Sequence, residues 1–160
     1  MSDATAVTLA DEAALRRAIE VAREARDGGN HPFGAVLVTA DGSRFEAENS
    51  AVTEDVTCHA ETNLVRLVST RLSAEQLLAS TLYASTEPCA MCAGAIYWAG
   101  IGRVVYALPE QALAALIPAD DGESTMDLPC REVFARGGRA VVVAGPALEQ
   151  EAATVHAGFW

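Results

Sequence analysis

Two short motifs hold most of the residues that could do chemistry. Cys89 and Cys92 stand three apart in Glu87-Pro88-Cys89-Ala90-Met91-Cys92. On a helix that spacing faces one way, so two thiolates there can grip one tetrahedral ion, zinc first among candidates. The positive end of a helix also favours thiolate over thiol. A C-x-x-C alone fits a redox pair or half of a structural zinc ribbon as well. A ribbon needs a second C-x-x-C or a histidine pair, and neither exists; what exists upstream is Cys58-His59-Ala60-Glu61-Thr62. One histidine and two cysteines make three protein ligands, which leaves a fourth position for water and marks a catalytic ion. Such an ion lowers the pKa of water toward neutrality. Glu61 is the nearest group able to carry protons for it.

These residues need elements to position them. Leu15, Ile19 and Ala22 recur at helical spacing over residues 11–27, and Gly28-Gly29 ends that helix. Residues 33–39 are apolar and β-branched, Asp41-Gly42 signals a tight turn, and residues 44–48 return as a second strand. A helix over 59–68 follows, then a weaker one from Ser73, which forms a capping box with Gln76. Residues 81–86 read as a strand, and the metal-motif helix begins around Pro88, where a missing N–H costs little. Residues 103–108 are a strand, 109–116 a helix, 117–128 a long acidic loop, and 130–136 a short helix. Residues 139–145 read as a last strand and 146–155 as a last helix. Strands alternating with helices predict an α/β fold: one domain over 1–160, a three-layer α/β/α sandwich with a five-stranded mixed sheet, its first pair a hairpin and the rest mainly parallel.

H-x-E followed by P-C-x-x-C is the signature of zinc nucleobase deaminases. Here it reads His59-Ala60-Glu61 and Pro88-Cys89-Ala90-Met91-Cys92. The chain resembles the cytidine-deaminase-like superfamily over most of its length, most of all the branch of guanine deaminases, fungal-type cytosine deaminases and tRNA adenosine deaminases. Residues 31–38 resemble the opening strand of that branch, and residues 81–108 resemble its metal helix and next strand. Ala95-Ile96-Tyr97-Trp98 is similar to guanine deaminases in particular.

The resemblance implies the five-stranded sandwich, one Zn2+ per subunit on His59, Cys89 and Cys92, and Glu61 as the proton carrier. It implies that Asn49 hydrogen-bonds the base, that Phe33 and Trp98 line the base pocket, and that the backbone around Ala60 and Ser85 touches the substrate. The interval from Asn49 to His59 is one residue shorter than is usual in relatives, so either that loop tightens or Asn49 is not the counterpart of the relatives' asparagine. One acid among Asp120, Asp121, Glu123 and Asp127 is a candidate second proton-transfer group, and Trp160 a candidate lid. The implied activity is hydrolytic deamination of a free nucleobase: a guanine-type purine first, with cytosine, isoguanine or triazine analogues as alternatives. A homodimer is implied as well.

The remaining candidates have plainer readings. Cys58 is a small buried bystander, because adjacent helix positions point about 100° apart. Cys130 is structural, His31 a surface or loop residue, and His156 exposed. Formal net charge is −11 and lysine is absent. Nucleic-acid binding draws on Lys and Arg, so tRNA is the lesser substrate candidate. A non-catalytic zinc or nucleobase-binding module is the rival outside enzymes. No apolar run approaches the roughly 20 residues that span a bilayer, and no secretory signal is legible; the cytoplasm is the expected location.

Overall fold

The structure is a computed structural model describing residues 3–122 and 124–160. Its sheet comprises β1 (Gly34–Val38), β2 (Arg44–Glu48), β3 (Thr81–Thr86), β4 (Arg103–Leu108) and β5 (Val142–Ala144), in the order β2-β1-β3-β4-β5. The helices are α1 (Leu9–Asp27), α2 (Ala60–Ser69), α3 (Ala74–Leu78), α4 (Ala90–Ala99), α5 (Glu110–Leu116), α6 (Cys130–Ala135) and α7 (Glu149–Thr154). The expected order of elements is the observed one.

Strand alternation builds two cores. Ala35, Leu37, Leu82, Ala84, Val104 and Tyr106 face one way and pack on α2, α3, α4 and α6 through Leu64, Leu77, Ile96 and Phe134. Val36, Tyr83, Val105 and Ala107 face the other way, onto α1, α5 and α7 through Leu15, Leu113 and Ala152. Successive strand residues point to opposite faces, which is why one apolar run serves both layers. Each fully buried Leu or Ile contributes about 1.5–3 kcal/mol. Gly34 lets α1 lie close on β1: a Cβ there would stand 2.4 Å from the Ala18 carbonyl oxygen.

β1 pairs antiparallel with both β2 and β3, while β3-β4 and β4-β5 are parallel. The antiparallel β1-β3 contact arises because the chain crosses from β2 to β3 through α2 and α3, passing over β1. The last strand is shorter than residues 139–145. Arg139 reaches back to the carbonyls of Tyr97 and Ile101 at 2.7 and 3.0 Å, and residues 139–141 leave the ladder. The last helix starts late, at Glu149, because Leu148 adopts a left-handed backbone (φ 56°). Among the described residues no helix is long and apolar enough to cross a membrane.

Candidate active site

The two motifs meet at two helix starts. His59 is the N-cap of α2 and Cys89 the N-cap of α4, and both helices lie on the same sheet face. Nδ1 of His59 is 3.6 Å from Sγ of Cys89 and 3.6 Å from Sγ of Cys92. A tetrahedral zinc at ordinary bond lengths separates N and S ligands by roughly 3.6 Å. The trio therefore fits the ion. Cys92 is buried, and His59 and Cys89 are half-buried.

Charge is distributed to suit. The Cys92 thiol, hydrogen-bonded to Cys89, holds Cys89 down to about 4, while Cys92 itself is pushed up by that same bond and by burial. Glu61, in the first turn of α2, is buried; burial first, then the charge of Cys89, pushes it up to about 7. A carboxyl near neutrality can both take and give a proton.

His59, Glu61 and Cys89 open into one cavity of about 590 Å³. One wall is aromatic. His31, Phe33 and Trp160 line it, with the Phe33 and Trp160 rings 6.3 Å apart and those of His31 and Trp160 5.5 Å apart.

The model of the cytidine and deoxycytidylate deaminase zinc-binding region matches residues 9–108, which include both motifs. The chain belongs to this zinc deaminase family. A probable cytosine deaminase of Schizosaccharomyces pombe is 41% identical over 152 residues, 94% of this chain and 92% of that protein. A tRNA-specific adenosine deaminase of Haemophilus influenzae is 39% identical over 109 residues, 66% of this chain and 62% of that one. The structure of a guanine deaminase from Nitrosomonas europaea superposes with TM-score 0.72 at 25% identity, covering 91% of this chain and 81% of that one.

The deaminase does not bring every expected residue to the cavity. Asn49 is buried; its amide oxygen accepts the Ala51 N–H at 3.0 Å, and its Nδ2 has no partner. Its neighbours Ala51 and Val52 line the cavity. The shortened loop closes tightly, with Ser50 N–H donating to the Cys58 carbonyl at 2.9 Å and Asn63 Nδ2 to the Glu48 carbonyl at 2.9 Å. Ala60 is fully buried at the start of α2 and is not a cavity-lining residue. Ser85 points at β1, where its hydroxyl accepts the Gly34 N–H at 3.0 Å; Thr86, one residue on, lines the cavity instead.

Trp98 is a correction. It is 85% exposed and packs only edge-on against Tyr97. Trp98 stands seven positions, roughly 10 Å, along α4 beyond the cavity-lining Met91, and it is not a lining residue itself. Cys58 is half-buried rather than buried and lies outside the trio, 3.8 Å from the Arg66 guanidinium. His31 is the half-buried loop residue expected, though its loop lines the cavity; His156, expected to be exposed, is buried at 4% exposure. Of the loop acids, Asp120, Asp121 and Asp127 are exposed, and Glu123 lies outside the described residues.

Two acids outside that loop were missed, and both belong to the deaminase's cavity. Glu87, at the end of β3, accepts the N–H of Glu110 on one oxygen and that of Cys130 on the other, each at 3.0 Å. It thereby holds the starts of α5 and α6. Glu110 is buried, and burial with the nearby charges of Glu87, Cys89 and Asp127 raises it to about 7. An acid after Pro109 looks like an ordinary helix-start residue; only the sheet brings it beside Cys89.

Proposed function

We propose that this deaminase hydrolyses the amino group from a free nucleobase, a guanine-type purine first, and releases ammonia. The observation that carries the reading is the shared cavity: Glu61 opens into it beside His59 and Cys89, and His31, Phe33 and Trp160 line it as well. A planar ring suits such a lining.

His59, Cys89 and Cys92 would hold the zinc. Bound there, the ion would lower the pKa of a water toward neutrality, so that hydroxide is available as the nucleophile for the amine-bearing ring carbon. Glu61 takes the proton released by that water and delivers it to the ring nitrogen. A second transfer through Glu61 protonates the amine, which leaves as ammonia while the ring keeps the oxygen. Asn49 donates its unpartnered Nδ2 hydrogens to a ring acceptor. Phe33 and Trp160 hold the ring plane.

Cytosine is the second reading, supported by the likeness to the S. pombe protein along nearly the whole chain. The acidic balance of −11 and the absence of lysine weigh against a tRNA substrate. Ammonia release from guanine, cytosine, isoguanine, adenine and their nucleosides tests the proposal. Turnover of a free base is the expected result; release from tRNA alone, or from nothing, overturns it.

A further inference from the structure

Among the described residues, three buried side-chain atoms lack a hydrogen-bond partner: Asn49 Nδ2, Thr86 Oγ1 and Glu110 Oε2. Burying an unpaired polar atom costs about 1–3 kcal/mol. Thr86 and Glu110 both line the cavity that holds Glu61, while Asn49, two residues before the lining Ala51, does not. Two of the three unpaired atoms therefore belong to residues lining one space, as groups awaiting a ligand do.

Their chemistry describes that ligand. An amide NH2 calls for an acceptor. A hydroxyl takes either role. A carboxyl oxygen among the acids Glu87 and Asp127 calls for an N–H. A nucleobase ring carries acceptors and N–H donors on separate edges, so one planar ligand can answer the hydroxyl and the carboxyl oxygen together.

Glu110 is also held in place. Its own N–H is fixed by Glu87, the residue directly before Pro88 and Cys89, so its backbone position is tied to the start of the metal helix. It is only 9% exposed. It lies beyond residues 9–108, the span the family model matches.

The geometry points to Glu110 as a specificity-determining residue that accepts a ring N–H of the base, its Oε2 meeting a nitrogen turned toward the cavity wall. The inference rests on the free-base reading above and sharpens it: the ligand must carry an N–H where Glu110 stands, and a substituent on that nitrogen is refused. Glu61 keeps the proton transfers; Glu110 reads the ring.

The test uses zinc-loaded wild type, Glu110→Gln and Glu110→Ala with guanine, or cytosine where that is turned over faster, and the derivatives methylated at each ring nitrogen in turn. Zinc content and Tm are measured alongside kcat and KM. In wild type, methylation at one nitrogen should raise KM at least tenfold; in Glu110→Ala that penalty should vanish while the parent base binds at least tenfold more weakly. Glu110→Gln, which keeps the shape, should retain zinc and Tm and lose the same discrimination. Identical methylation penalties in wild type and both variants overturn the inference and leave the free-base reading standing. Wild type that neither binds nor deaminates any base overturns both.

Discussion

The indole N–H of Trp160 donates to Nδ1 of His156 at 3.1 Å, and the two rings stack at an interplanar angle of 12°. The chain's last residue is thereby pinned to a buried histidine one helical turn earlier. Arg26 braces the same segment by donating to the carbonyls of Val155 and Ala157 at 2.7 and 2.8 Å, and its guanidinium lies over the Phe159 ring.

That bond requires an unprotonated Nδ1. Burial first, and the Arg26 charge second, hold His156 down to about 4. The unfolded chain protonates it near 6.5, so the folded form binds fewer protons between those values. Stability from this residue is fully present above about 6.5 and falls as pH drops through about 4. With Trp98→Phe, Trp160 is the sole tryptophan, and its emission should shift to the red with a midpoint near 4. Adding His156→Phe should abolish that step; a step that persists would assign it to other groups.

Deleting Phe159 and Trp160 should raise KM more than it lowers kcat. A lost aromatic contact with the ring is worth about 1 kcal/mol, or roughly five- to tenfold in KM. Unchanged kinetics would show that the wall next to Phe33 does not hold substrate.

Glu61→Gln should keep zinc at one ion per subunit and cut kcat about 10²- to 10⁴-fold, the usual contribution of a positioned acid or base. Metal analysis with single-turnover ammonia release checks both halves. Retained turnover would remove Glu61 from the proton path.

Trp98, 85% exposed, and Met91, 39% exposed, both project from α4. The homodimer expected from the sequence is a proposal, and we place its contact at Trp98. Trp98→Glu should shift sedimentation from dimer to monomer while zinc content holds. A dimer that survives places the contact elsewhere.

Most of the fold was legible because local signals agreed with the global pattern. The Ser73–Gln76 capping box starts α3 as read, and Gly100 closes α4 in a left-handed turn (φ 87°). The ends of the chain were less legible: β5 and α7 are shortened by Arg139 reaching across to α4 and by the backbone of Leu148, neither of which a propensity announces. The metal trio was legible because its motifs state residue type and spacing together. Glu110, His31 and His156 were not, since each earns its place only through chain-distant neighbours.

Glu87 leaves a consequence for how such an enzyme can change. One carboxylate clasps the first residue of α5 and the first of α6, directly before the metal helix. Everything between those two anchored points, α5 and the long loop with Ser124, Thr125 and Met126 on the cavity, is a cassette clipped in at both ends. Its length and composition can drift without moving the metal, so new substrates can be tried in evolution while the reaction itself is inherited intact.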